Sequence, residues 1–216
     1  KDIIVKVVPS MYERLNGDQL RSDDIRNIRI EDLLERDPIL LDNQNIIRQL
    51  SGQTALVTGA AGSIGSEIVR QLIRFKPETL ILIDQSESGL YDLENELKQH
   101  FRRFLDDATR VIVQVADVTD EVRMRHIFRQ YTPQFVFHAA AYKHVPLMEE
   151  HPYEAVKVNV FGTKIIADLS VETNVRKFVM ISTDKAVNPT NVMGATKRLA
   201  EMYVQSLNHR FLKGTR

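Results

Sequence analysis

The 216-residue sequence has no cysteine, no tryptophan and no net charge, with 29 basic groups against 29 acidic ones. Without cysteine there is no disulfide scaffold, no thiolate nucleophile and no cysteine-ligated zinc. The charge balance is also local: residues 1–52 carry 8 basic and 10 acidic side chains and the remainder 21 and 19, so no long-range field gathers nucleic acid or an anionic membrane. No apolar run approaches the ~20 residues that span a bilayer, and no signal-peptide pattern opens the chain. His126, His138, His144 and His151 do not fall at i, i+4 and no H-E-x-x-H occurs, so no metal site is expected. No nucleophile elbow is present either. What remains is 43% hydrophobic residues, enough for one sizeable core plus an appendage, in a chain expected to be cytoplasmic.

Residues 1–52 differ in texture from the rest and read as a lead-in whose fold the sequence barely specifies. Ile3 to Val8 suggests a short strand closed by Pro9, Ser22-Asp23-Asp24 a helix or turn start, and Ile28 to Leu34 a weak alternation broken at Asp37-Pro38. From residue 53 onward, short aliphatic runs alternate with helical periodicity. Ala55-Leu56-Val57, Leu80 to Ile83, Val111-Ile112-Val113, Phe135-Val136-Phe137 and Phe178 to Ile181 read as buried strands. Between them come helical stripes at Ile64, Ile68, Val69 and Leu72, at Leu90, Leu93, Leu97, Phe101 and Phe104, and near Val122 to Phe128. A long helix is expected from about Tyr153 to Glu172, and a last one from near Met193 to Leu207. That order predicts an α/β Rossmann-like, doubly wound parallel sheet with helices on both faces.

Between the first of these strands and its helix lies Thr58-Gly59-Ala60-Ala61-Gly62-Ser63-Ile64-Gly65. Glycines three apart on a strand-to-helix turn suit a dinucleotide: the turn is tight, the backbone can approach a pyrophosphate, and the helix N-terminus offers free N–H groups. Asp84 ends the next strand, 19 residues beyond Gly65, where a carboxylate can accept both ribose hydroxyls of NAD. Gln85-Ser86-Glu87-Ser88 offers no arginine for a 2′-phosphate, so NAD is expected over NADP.

The glycine spacing, one residue longer than G-x-G-x-x-G between its first two glycines, resembles that of the extended short-chain dehydrogenase/reductase family. Asp117-Val118 resembles that family's adenine contact, Ala139-Ala140-Ala141 its nicotinamide side, and Asn159 falls in the following long helix. Ser182-Thr183-Asp184-Lys185 ends the fifth strand, and Met193-Gly194-Ala195-Thr196-Lys197 stands where the family usually has Tyr-x-x-x-Lys on one helix face. With Ala141-Tyr142-Lys143-His144-Val145, these strings resemble the membrane-anchored class of bacterial UDP-N-acetylglucosamine 4,6-dehydratases of polysaccharide biosynthesis, over nearly all of residues 53–209. The resemblance implies NAD contacts that include Ser63, Ile64 and Lys197, substrate contacts at Lys143 and Asn159, a UDP-sugar substrate and a homo-oligomer. It also implies that the intact protein is anchored on the cytoplasmic side of the inner membrane.

The implied reaction is redox-neutral: hydride leaves C4 of the sugar for NAD, the ketone acidifies the C5 proton, water is lost across C5–C6, and hydride returns to C6. Asp184 is the candidate acid for the C6 hydroxyl, a role that calls for burial to raise its pKa. Lys185 is the candidate base at C5, which requires a neutral amine. Lys197 is expected at the nicotinamide ribose, adding positive charge where the C4 alkoxide develops. Met193 cannot accept the C4 hydroxyl proton as a tyrosine would. Thr183 could bond that hydroxyl, and the sequence leaves the proton's destination open. Two alternatives stand: a nucleotide-sugar 4-epimerase, for which Thr-Asp-Lys has no work, and a catalytically silent dinucleotide-binding scaffold. Because the chain stops at Lys213-Gly214-Thr215-Arg216, where a further strand is expected, it is read as a fragment lacking most of the substrate pocket and inactive alone.

Overall fold

The computed structural model describes residues 6–7, 26–27, 43–105 and 109–214. The chain divides into two units, Lys1–Asp42 and Asn43–Arg216. In the first, β1 (Lys6–Val7) pairs antiparallel with β2 (Arg26–Asn27), inside the run expected to be a strand. The turn expected at Ser22-Asp23-Asp24 and the alternation from Ile28 to Leu34 lie outside the described residues. The boundary falls at Asp42, not at 52, because α1 (Asn43–Leu50) buries Leu50 and packs Ile46 in the core of the second unit.

In that unit the aliphatic runs form β3 (Thr54–Thr58), β4 (Thr79–Asp84), β5 (Arg110–Val115), β6 (Phe135–His138) and β7 (Lys177–Met180). All pairings are parallel, in the order β5-β4-β3-β6-β7. Successive residues of each strand point to opposite faces, and both faces are covered. Ala55, Val57, Leu80 and Leu82 meet Val69, Leu72 and Ile73 of α2 (Ser63–Arg74) and Leu90, Leu93 and Leu97 of α3 (Glu87–His100). Leu56, Ile81, Ile83 and Val136 meet Met124, Ile127 and Phe128 of one helix, and Ile166 and Leu169 of another, on the opposite side. This two-sided burial is why the strands read as unbroken apolar runs. The strand β5 was expected to be buried; it is only half-buried, with Arg110 and Val115 exposed, because it is an edge strand with a neighbour on one side alone.

The remaining helices are α4 (Arg102–Leu105), α5 (Glu121–Tyr131), α6 (Val145–Glu150), α7 (Pro152–Ala155), α8 (Thr163–Glu172) and α9 (Val192–Gly214). The stripe on α2 departs from expectation at Ile64, which is 54% exposed. The helix expected from Tyr153 to Glu172 is interrupted: Val156–Gly162 winds as a π-helix between α7 and α8. In register, Thr58 lies opposite Ile83 and His138, and His138 opposite Met180, so the carboxyl ends of four strands form one edge. The order reverses between β3 and β6, the switch point at which such sheets bind ligands. Among the described residues, no helix is long and apolar enough to cross a membrane.

Candidate functional site

At the switch point a cleft of about 260 Å³ is lined by Gly59, Gly62, Asp84, Ser86, Asp117, Val118, Tyr142 and the three alanines 139–141. The glycines are sterically required. Gly59 has φ +66°, and a Cβ there would lie 2.6 Å from Ala140 N; a Cβ on Gly65 would lie 1.9 Å from Gly59 O. Asp84 is fixed by two backbone donors, Ala61 N–H to Oδ2 (3.0 Å) and Ser86 N–H to Oδ1 (2.9 Å). A carboxylate has about four acceptor positions, so two remain for a ligand. Asp117 Oδ1 accepts from Thr119 N–H (2.8 Å), which shapes the turn that presents buried Val118. Lys143 Nζ donates to Ser63 Oγ (3.1 Å), placing an exposed ammonium at the N-terminus of α2, where an anion is favoured.

The strand end that lines this cleft is held by a directional chain of hydrogen bonds. The Thr163 hydroxyl donates to Asn159 O (2.7 Å), so its only proton is engaged and His138 Nε2 must donate to Thr163 Oγ1 (2.9 Å). Nδ1 is then the acceptor, taking the Thr58 hydroxyl proton at 2.7 Å, and Thr58 Oγ1 accepts from Ala140 N–H at 3.5 Å. His138 is fully buried; desolvation, with Lys197 as a lesser cause, pushes its pKa down to about 3. It is a satisfied core histidine. Asn159, expected to touch substrate, is fully buried instead. Its Oδ1 accepts from Tyr142 N–H (2.8 Å), and its Nδ2 donates to Tyr142 O and Thr196 Oγ1 (both 3.1 Å). It clamps the loop after β6 and has no surface for a sugar.

A second cavity, of about 360 Å³, shares Ala139, Ala141 and Tyr142 with the first. Ile64, Lys143, His144, Ile181, Ser182, Thr183, Lys185, Met193 and Lys197 complete its lining, so exposed Ile64 faces a site rather than the core. The helix α9 is seated for this purpose: Asn191 Oδ1 accepts from Gly194 N–H (2.7 Å) and Glu149 Oε1 from Val192 N–H (2.6 Å). Lys197 is buried, donates from Nζ to Ile181 O (2.7 Å), and has its pKa pulled down to about 8 by desolvation. Met193 packs with Met148, Ala155 and Tyr142 in an apolar cluster.

Asp184 departs from expectation. Its side chain is 86% exposed and is not part of the cavity lining. The Thr183 hydroxyl donating to Oδ1 (2.9 Å), then the Lys185 ammonium 3.4 Å away, hold its carboxyl below the ordinary carboxylate range. The burial required to raise it is absent among the described residues. In the sequence Glu201 has no marked role and Ser182 stands only as the start of the strand end: Ser182 Oγ donates to Glu201 Oε1 at 2.5 Å. The Lys197-x-x-x-Glu201 spacing was the available signal. Among the described residues, no group of three or more histidine and acidic side chains converges as metal ligands would.

A glycine-rich strand-to-helix turn, an acid at the end of the next strand and a lysine-bearing helix at the switch point of a parallel sheet define a Rossmann-type dinucleotide-binding unit with a second cavity adjoining its cleft. The polysaccharide biosynthesis protein family matches residues 55–215, and the chain belongs to it. It is 47% identical, over 93% of its length, to the capsular polysaccharide biosynthesis protein CapD of Staphylococcus aureus, and spans 33% of that protein. To a UDP-N-acetylglucosamine 4,6-dehydratase (inverting) of Campylobacter jejuni it is 33% identical, covering 74% of this chain and 45% of that one. The structure of the UDP-glucose 4-epimerase of Thermotoga maritima with UDP-glucose superposes with a TM-score of 0.60 at 27% identity, covering 70% of this chain and 50% of that one. The chain thus spans a third to a half of these relatives.

Proposed function

We propose that the chain is the dinucleotide-binding, catalytic part of an NAD-dependent UDP-N-acetylglucosamine 4,6-dehydratase. The observation that carries this reading is the meeting of Thr183, Lys185, Met193 and Lys197 in one cavity continuous with the dinucleotide cleft. The residues present fit NAD: the Gly59–Gly65 loop leaves room for a pyrophosphate, and Asp84 keeps free acceptor positions for ribose hydroxyls. Among the described residues, no basic side chain lines the cleft near Asp84 to hold a 2′-phosphate.

Bound NAD supplies reversible hydride acceptance. Lys197 holds the nicotinamide ribose and places positive charge beside the C4 oxygen. Lys143, at the start of α2, orients an anionic group of cofactor or substrate. Lys185 removes the C5 proton after the bound sugar has desolvated its ion pair with Asp184 and the ammonium proton has passed to that carboxylate, leaving a neutral amine beside a neutral acid. Asp184 protonates the departing C6 hydroxyl, and the sugar itself supplies the desolvation that the free carboxyl lacks. An epimerase needs neither of these last two groups, which is what favours dehydration over the epimerisation named for the Thermotoga relative.

The test uses the whole enzyme that contains this chain. Incubated with UDP-N-acetylglucosamine it should yield the 4-keto-6-deoxy sugar. Asp184→Asn and Lys185→Ala should each lower turnover by roughly 10²–10⁴ with NAD affinity nearly unchanged. A C4 epimer as product, or near-normal turnover in either variant, refutes the assignment.

A further inference from the structure

The helix α9 grips the end of β7 through two side chains one turn apart. Lys197 donates to the carbonyl of Ile181, and Glu201 accepts the hydroxyl proton of Ser182, the next residue along. Four-residue spacing puts both on one helix face. Both oxygens of Glu201 are engaged, Oε1 with Ser182 and Oε2 with Arg198 NH1 at 3.0 Å, and its side chain is only 21% exposed. The grip therefore sits immediately before Thr183, Asp184 and Lys185. We propose that Glu201 is a positioning residue of the site: it fixes the strand end through Ser182 and supplies the counter-charge to the Lys197 ammonium.

The electrostatic surroundings of Lys197 leave that role to Glu201. On β6, His138 is neutral, with both ring nitrogens committed. Beyond β7, Lys185 lines the same cavity with its charge shared with exposed Asp184. From the loop after β6 come another cation, Lys143, and the imidazole of His144, which carries no negative charge, and on α9 itself stands Arg198. Among the described residues, Glu201 is the acidic group that offsets the desolvation of Lys197, and its own carboxyl is held low, chiefly by the Ser182 hydrogen bond. This role rests on the proposed function only for its consequence, since a charged Lys197 is what the ribose and the C4 oxygen require.

Titration of the Lys197 ε-methylene by NMR in the whole enzyme that contains this chain, with the signal assigned by its loss in Lys197→Met, tests the proposal with no added cofactor. The native midpoint should lie near 8 and fall by about 1 pH unit in Glu201→Gln. Glu201→Asp should keep it near the native value, and Glu201→Ala reports the same loss of charge should the glutamine variant fail to fold. Amide exchange at Ser182 and Thr183 should quicken in Glu201→Ala more than in Glu201→Gln, which keeps an acceptor. A merely structural glutamate would change exchange without moving the midpoint, and an unmoved midpoint overturns the proposal. Calorimetry with NAD on the same whole enzyme runs in parallel: failure of the native enzyme to bind refutes the cofactor reading alone and leaves the Lys197 result decisive for Glu201.

Discussion

Lowering the pH should destabilise this domain through His138 before its carboxylates titrate. The ring is neutral in the fold because protonation would put a charge in a desolvated site and turn Nδ1, the acceptor of the Thr58 proton, into a second donor. In the unfolded chain the same ring takes a proton near its ordinary value of 6.5, against about 3 in the fold. The unfolded state thus binds more protons across that interval, so stability falls as pH drops below 6.5 and stops falling near 3. The gap sets a ceiling of about 5 kcal/mol on the total loss, of which about 2 kcal/mol is lost by pH 5. Carboxylates held low, Glu96 and Glu201 among them, act in the same direction but only as pH falls to about 5 and below. The window from pH 6.5 to 5 therefore isolates the histidine. Urea unfolding at half-unit steps should give a stability slope approaching one proton there, about 1.4 kcal/mol per pH unit. His138→Gln should be less stable at pH 7 yet nearly flat across the window. Equal slopes for the two proteins would refute the buried neutral ring.

Three further outcomes follow from the site. Asn159→Leu strips Tyr142 N and O of their side-chain partners and should cost about 2–5 kcal/mol by denaturant midpoint, since unpaired buried polar groups are expensive. Gly65→Ala drives a Cβ into Gly59 O and should weaken NAD binding at least about tenfold by calorimetry while destabilising the domain by about 1–3 kcal/mol. NADP should bind more weakly than NAD because Asp84 repels a 2′-phosphate, and Asp84→Ser should narrow the difference; equal affinities in the native chain would show that the carboxylate does not face the ribose.

The sheet was legible in the sequence because its strands are buried on both faces, and unbroken runs such as Leu80 to Ile83 leave no other reading at that length. The phosphate loop was equally plain, since steric demands at Gly59 and Gly65 tie residue type to position. Roles that depend on where a side chain turns were not legible. Ile64 fits the helical stripe of α2 by spacing, yet it sits in the first turn, beyond the reach of the core. Asn159 reads as a polar residue available to substrate, and only its contacts with Tyr142, 17 positions away, reveal a clamp. Asp184 carries the right chemistry for an acid, but its ionisation follows from its neighbours Thr183 and Lys185 and from its exposure. Glu201 needed the third dimension altogether, because Ser182 lies 19 residues away in sequence.

The π-helical turn at Val156–Gly162 is a register device for one side chain. A π turn amounts to one residue inserted into an α-helix, and the widened turn absorbs it so that the helix on either side keeps its phase. Deleting one residue there would therefore relax the turn to α-helix and leave α7 and α8 on the faces they share with α9. What would move is Asn159, which sits inside the turn and would no longer be aimed at Tyr142. A gap at this point in a related chain would thus mark a protein whose pocket loop is held by other means, and an insertion or deletion elsewhere on the surface would carry no such meaning.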